Sequence, residues 1–321
     1  MSTAFVFPGQ GSQSVGMLGD LAEQHRCVRD TFAEASGALG YDLWALVQRG
    51  PADELNATER TQPAMLAAGV AVWRAWREAG GAEPQVVSGH SLGEFTALVC
   101  AGALDFVAGI GLVRLRGQVM QEAVPLGSGA MAAVLGLDDA AVIAACREAA
   151  AGGVVEPVNF NAPGQIVIAG DKDAVARAIE AAQARGAKRT VLLPVSVPSH
   201  SSLMRGAAER FGARFAAVAL RPPRIEYVSA VDAQAHTEPD DIRALLVRQL
   251  ASPVRWTDTM RALLVQRVDA VIECGPGKVL TGLNRQIERR SGQRSNVQYL
   301  ALEDAASLAE ALGTMKGMTR A

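Results

Sequence analysis

The stretch Ser88-Gly89-His90-Ser91-Leu92-Gly93-Glu94-Phe95 carries the pattern GxSxG centred on Ser91, and its reading decides the fold. Val86 and Val87 ahead of it read as the end of a short buried strand, while Leu92, Phe95, Leu98 and Val99 behind it fall at helical spacing. The chain is therefore expected to pass from strand to helix at Ser91. Such a sharp turn strains the serine backbone and leaves little room for side chains beside it, hence the flanking glycines. The hydroxyl is then exposed at a sheet edge, above helix N–H groups whose partial positive charge favours an anion. The same residues also suit a strand-to-helix connection without chemistry, so the motif needs partners elsewhere in the chain.

A chain of 321 residues can bury a large core and hold two domains, or one domain with an insertion. With 49% apolar and 20% charged residues it has the composition of a soluble globular enzyme. The net charge of -2 leaves no excess of Lys and Arg, so no nucleic-acid partner is expected. Apolar runs are too short or too charged to span a membrane, and Met1-Ser2-Thr3-Ala4-Phe5 lacks the basic segment of a signal peptide. Cys27, Cys100, Cys146 and Cys274 lie far apart without metal-ligand spacing, and read as reduced, mostly buried thiols of a cytoplasmic protein.

Phe5-Val6-Phe7 reads as a strand running into Pro8-Gly9-Gln10-Gly11-Ser12-Gln13. This loop nearly matches GxGxxG, with Ser14 in place of the third glycine, which is weak support for phosphate binding. A tight connection is one alternative. Another directs Gln10 and its backbone N–H toward the serine, because loops after parallel strands leave the same sheet edge. Helical patterns follow at Met17 to Leu39, at Gln62 to Ala79, which is apolar nearly all round, and at Asp105 to Val124. In the last, Phe106, Ile110, Val113, Gly117, Met120 and Val124 form the apolar face. Arg114 and Arg116 flank it about 200° apart, so one at most faces Ser91, and both also suit solvated positions.

Residues 127–196 differ in character. They read as strand Ala130 to Gly136, helix Asp138 to Ala150, strands Val154 to Asn161 and Gln165 to Asp171, helix Asp173 to Arg185, and strand Arg189 to Ser196. That βαββαβ order is expected to form a small ferredoxin-like subdomain (127–196) interrupting a large one (1–126 and 197–321), with a substrate cleft between them. Lys188-Arg189 suits either a docking patch for an acidic partner or a solvated strand edge. The large subdomain resumes with Pro198-Ser199-His200 at a strand end, a strand at Tyr227-Val228-Ser229, a helix from Asp241 to Leu250 and a strand from Ala270 to Glu273. Gly275-Pro276-Gly277-Lys278 lacks the spacing of a phosphate loop and reads as a strand-to-helix turn.

A serine hydroxyl attacks well only when a base takes its proton. Of four histidines, His90 adjoins Ser91 with a diverging side chain, His25 lies on a charged helix face, and His236 sits in the polar loop 232–238. His200 is left, as a base or as a capping or core histidine. Asp171 would be the acid of a hydrolase triad by chain order, and equally suits an N-cap or turn.

Phe7-Pro8-Gly9-Gln10-Gly11-Ser12-Gln13, Gly89-His90-Ser91-Leu92-Gly93-Glu94, Arg116-Gly117, Ser199-His200, Gln249 and Gly275-Pro276-Gly277-Lys278-Val279-Leu280 together resemble the malonyl-CoA:acyl carrier protein transacylases of type II fatty acid synthesis. The resemblance covers nearly the whole chain. It implies an α/β-hydrolase-like large subdomain with a parallel sheet, interrupted by the ferredoxin-like unit. It also implies Ser91 as nucleophile, His200 as base, Gln249 as the source of a carbonyl orienting His200, and Arg116 rather than Arg114 as the substrate arginine. The backbone N–H groups of Gln10 and Leu92 would form the oxyanion hole. Malonyl-CoA and holo acyl carrier protein are the implied partners of a monomeric enzyme with no metal or bound cofactor. Phe95 stands where many members carry Tyr, and Ser199 where malonyl-selective polyketide acyltransferases usually carry Phe. The alternatives are a polyketide acyltransferase acting in trans and a serine thioester hydrolase.

Overall fold

Thr3–Phe7 (β1) and Val86–Gly89 (β2) are buried along their whole length, as strands covered on both faces must be. They pair in parallel with Phe7 opposite Gly89, so the loops after them leave the same sheet edge side by side. The computed structural model, which describes residues 2–195, 197–292 and 296–320, builds a mixed α/β fold outward from this pair. The remaining strands are β3 (Gly129–Leu135), β4 (Val155–Ala162), β5 (Gln165–Asp171), β6 (Arg189–Leu192), β7 (Glu226–Val228), β8 (Ala235–His236), β9 (Ala270–Cys274) and β10 (Gln298–Leu302). One sheet has the order β10-β9-β1-β2-β7-β8, parallel except for the last pair. The helices Thr58–Glu78, Gly93–Cys100 and Phe106–Gln121 help cover it, the first buried on nearly every side by its Ala, Leu and Val residues.

The other sheet has the order β4-β5-β3-β6 and is antiparallel throughout. The helices Asp139–Ala150 and Lys172–Ala184 enclose its own apolar cluster around Val134, Ile166 and Ile168. Asp138 caps the first by accepting from the Ala141 N–H at 2.8 Å. This unit joins the larger sheet's layer by backbone bonds: Phe160 N–H donates to the Val254 carbonyl and Val254 N–H to the Val158 carbonyl. Arg189 lies on the edge strand β6, where a charge discourages pairing with another chain.

Several boundaries differ from the sequence expectations. The helix expected over Met17 to Leu39 is two, Gly19–Gln24 and Arg26–Leu39, because His25 takes an extended backbone between them. The strand expected to run from Arg189 to Ser196 ends at Leu192, and Ser196 itself lies outside the described residues. The helix expected over Asp241 to Leu250 starts at Pro239, whose fixed φ suits a first turn, and Gln249–Ala251 tightens into a 3-10 turn. His236 is in β8 rather than a loop, while β10 went unread because five residues without alternation carry no period.

The glycines of the GxSxG turn are required by contact. A Cβ on Gly93 would lie 2.0 Å from the Phe7 carbonyl oxygen, and one on Gly89 2.0 Å from the Gly93 carbonyl carbon. Gly93→Ala should therefore cost about 3 kcal/mol or more in urea denaturation, since backbone on both sides has to move. Gly111→Ala, on an open helix face with nothing within 4 Å of the added carbon, should instead stabilise by about 0.5–1 kcal/mol.

Candidate active site

Ser91 occupies the left-handed region, φ 54°, between β2 and the helix Gly93–Cys100. His200 is left-handed too, φ 68°. Such backbones cost about 1–3 kcal/mol each and persist only where surroundings hold them. The His200 N–H donates to the Leu250 carbonyl at 3.0 Å, which fixes the loop. The consequence is that two residues 109 positions apart meet: Ser91 Oγ and His200 Nε2 are 2.7 Å apart. His200 Nδ1 lies 2.8 Å from the backbone carbonyl of Gln249. A carbonyl only accepts, so Nδ1 carries the proton, Nε2 is bare, and the Ser91 hydroxyl donates to it.

Arg116 comes to the same place from the helix Phe106–Gln121, and only 1% of it is exposed. Its Nη2 donates to Ser91 Oγ at 3.2 Å and to Gln249 Oε1 at 2.8 Å, and its Nη1 to Gln62 Oε1 at 3.0 Å. Its Nε is buried with no hydrogen-bond partner, and its guanidinium carbon lies 5.6 Å from the Phe95 ring centroid. Phe95 is thus a backstop for the guanidinium as well as a core residue against Phe211. Arg114 points the other way and donates to the Leu39 carbonyl.

Burial sets the charge states. It pushes His200 down to about 3, helped by the positive charge of Arg116, so the imidazole is neutral at any ordinary pH. It lowers Arg116 to about 10, a fall opposed by the negative charge of Glu94, so the guanidinium stays protonated. Glu94 is completely buried below the turn and accepts from Gln249 Nε2 at 2.7 Å, from Ser229 Oγ at 2.9 Å and from the Tyr227 hydroxyl. Gln249 Nε2 also donates to the Ser91 carbonyl at 2.9 Å.

The Gln10 loop lies beside the Ser91 turn, as the parallel pairing of β1 and β2 requires. Among the described residues neither the Gln10 nor the Leu92 backbone N–H donates to another backbone group. Both residues line a cleft of about 450 Å³ with Ser91, Arg116, Ser199 and His200. Met131, Asn159 and Leu193 of the smaller unit or its exit close the other side, giving a pocket of the size ordinary ligand sites have. A separate cavity of about 580 Å³ beside Arg74, Trp73 and Arg224 shares no lining residue with it.

The other sequence candidates are used elsewhere. His90 bonds through Nε2 to Asn161 Oδ1 at 2.8 Å and packs on Trp256, tying the turn to the smaller unit. Asp171 accepts from the Val154 N–H within that unit, a turn role. Lys278 pairs with Glu303 at 2.9 Å, which fits a turn rather than a phosphate loop. Gln62, Asn161, Tyr227 and Ser229 sit on elements with no motif, so nothing in the sequence marked them. Glu94 had a signal, a carboxylate three residues past the serine in the first helical turn.

A serine at a strained strand-to-helix turn on a mixed α/β scaffold suits acyl transfer, and the acyl transferase domain family matches residues 4–318. The chain belongs to the malonyl CoA-acyl carrier protein transacylase family of acyl transferases. It is 57% identical to the malonyl CoA-acyl carrier protein transacylase of Escherichia coli K12 over 88% of this chain and 92% of that one. It is similar to an acyl carrier protein S-malonyltransferase structure from Vibrio cholerae, with 55% identity, TM-score 0.92, and 97% of this chain and 100% of that one covered. It is also similar to a malonyl-transacylase solved in complex with a type II PKS acyl-carrier protein, with 52% identity, TM-score 0.95, and coverage of 98% and 100%.

Because His200 is held neutral to about 3, kcat/KM for acylation should stay level from pH 8 to about 5 and fall only below that. A stopped-flow pH profile with an acid limb near 6.5 would mean that burial and Arg116 do not lower the imidazole.

Proposed function

We propose that this chain moves a malonyl group from malonyl-CoA to the phosphopantetheine thiol of acyl carrier protein, for fatty acid synthesis, through an ester on Ser91. The observation carrying this reading is the hydrogen bond from a buried Arg116 to the Ser91 hydroxyl that itself donates to a neutral His200. A cation buried at the nucleophile has little use with a neutral acyl group. It suits an acyl chain ending in a carboxylate, which a planar guanidinium binds through two parallel N–H bonds.

In the first half-reaction the malonyl carboxylate pairs with Arg116, whose Nε–H has no other partner. Ser91 Oγ attacks the thioester carbon while its proton passes to His200 Nε2. The Gln249 carbonyl, bonded to Nδ1–H, stabilises the imidazolium without an acid. The Gln10 and Leu92 N–H groups receive the oxyanion, each donor worth about 2.7–4 kcal/mol in comparable sites. The C–S bond breaks and His200 returns its proton to the CoA sulfur. In the second half-reaction the carrier thiol gives its proton to His200, its sulfur takes the acyl carbon, and Ser91 Oγ leaves as a hydroxyl. Acetyl-CoA would leave the buried guanidinium unpaired, which disfavours it.

Residues 1–126 and 197–321 form an α/β-hydrolase-like subdomain, and residues 127–196 a ferredoxin-like one whose order β4-β5-β3-β6 fits that name. The enzyme acts as a cytoplasmic monomer. Among the described residues no helix is long and apolar enough to cross a membrane, and no three His, Cys, Asp or Glu side chains gather as a metal site. A polyketide carrier is the second reading, favoured by the similarity to a malonyl-transacylase bound to a type II PKS acyl-carrier protein.

Intact-protein mass spectrometry after mixing with malonyl-CoA tests the scheme. A malonyl adduct should form, be absent from Ser91→Ala, and move to holo carrier protein on its addition. Arg116→Ala should form it about 10- to 150-fold more slowly, the equivalent of about 1.5–3 kcal/mol. Release of free malonate instead of transfer would make the protein a hydrolase, and a preference for a polyketide carrier over the fatty acid carrier would select the second reading.

A further inference from the structure

We infer that Glu94 is a positioning residue that sets which acyl group the enzyme accepts, by holding the Gln249 amide in the one orientation that anchors Arg116 for a carboxylate. The inference rests on the reading of Arg116 as the carboxylate's partner.

The Gln249 side chain bridges the two charges. Its Nε2 donates to Glu94 Oε1 and to the Ser91 carbonyl, while its Oε1 accepts from Arg116 Nη2. An amide flipped by 180° would turn N–H₂ against a guanidinium N–H, two buried donors facing each other. Glu94, the closer of the two acceptors on Nε2 beside the Ser91 carbonyl, adds to that cost because as a carboxylate it can only accept. Its other oxygen, Oε2, already receives the hydroxyls of Tyr227 and Ser229. Ser229 Oγ accepts from the Val231 N–H at 3.2 Å, which leaves its own proton for Glu94. Burial pushes the Glu94 carboxyl up, and the hydrogen bonds from Tyr227, Gln249 and Ser229 oppose that rise by favouring the carboxylate.

A carboxamide cannot do this. Its N–H₂ would face either the Gln249 amide nitrogen or the Tyr227 and Ser229 hydroxyls. The Ser229 hydroxyl oxygen already accepts from the Val231 N–H, so it is a poor acceptor for that N–H₂. With the carboxamide nitrogen turned toward Gln249, the Gln249 amide is held only by the Ser91 carbonyl, and each excursion to the flipped form takes the side-chain oxygen from Arg116 Nη2. The His200 dyad is untouched by the flip, because His200 bonds to the Gln249 backbone carbonyl and not to its side chain.

The test compares wild type, Glu94→Gln, Gln249→Leu and the double variant, with rates for malonyl-CoA and acetyl-CoA each normalised to active sites titrated by burst. Glu94→Gln should raise KM for malonyl-CoA about tenfold or more and lower the malonyl-to-acetyl ratio of kcat/KM by at least the same factor. Gln249→Leu should do likewise, and the double variant should lose no more than the worse single one. A ratio within twofold of wild type in Glu94→Gln, with only the active fraction or the melting temperature reduced, would make Glu94 purely structural and overturn the inference. So would fully multiplicative losses in the double variant. Should Glu94→Gln fail to fold, Ser229→Ala is read in its place, with a threefold or larger fall in the ratio expected and no fall decisive against. If wild type itself shows no malonyl preference, or none that Arg116→Ala removes, it is the carboxylate reading that fails.

Discussion

The site depends on one close approach: the α-carbon of Gly93 packs against the Phe7 carbonyl so tightly that no side-chain carbon fits. Parallel pairing of β1 and β2, with Phe7 opposite Gly89, brings their outgoing loops to one edge. Only a residue in the left-handed region can then turn the chain from β2 into the helix below. Ser91 takes that conformation, and the strain presents its hydroxyl above the sheet. The Gln10 loop comes with it, since both loops start from neighbouring strands.

The second constraint is the buried charge of Arg116. Taking a guanidinium out of water is costly unless its N–H groups and its charge are met. Gln62, Gln249 and Ser91 meet the hydrogen bonds, Phe95 gives the cation an aromatic face, and Glu94 supplies the opposite charge one amide away. Burial, with the positive charge of Arg116 added to it, keeps His200 neutral, so its bare Nε2 can accept from the Ser91 hydroxyl. Arg116 therefore bears on both the Ser91 hydroxyl and the charge state of His200. Its Nε–H, buried and without a hydrogen-bond partner, is the kind of donor that a ligand completes.

The smaller sheet bears on the site through few contacts. His90 reaches Asn161, and β4 bonds to Val254, so the turn and the β4 edge are tied together. Met131, Asn159 and Leu193 then wall the cleft opposite Ser91. A walled cleft matters for transfer chemistry, because an ester waiting for a thiol must be shielded from water.

Much of this was legible in local pattern. GxSxG between two valines and an apolar helix implies the turn at Ser91, the βαββαβ order of residues 127–196 follows from apolar runs and glycines, and the apolar stripe of Phe106–Gln121 puts its two arginines on opposite sides. These are short-range consequences of sterics and periodicity. What stayed open was whatever depends on contacts between distant segments. Periodicity could not choose Arg116 over Arg114, because choosing requires knowing what packs against each side of the helix. Nor could it find Gln62, Tyr227 or Ser229, which sit in unremarkable segments and matter only through what the fold sets beside them. The sequence by itself determined the turn, the alternation of strands and helices, and the residue types able to do acyl transfer. The tertiary structure alone decided that Ser91, His200, Arg116, Gln249 and Glu94 share one buried network, because hydrogen bonds between residues 25 to 158 positions apart depend on how the strands and helices pack.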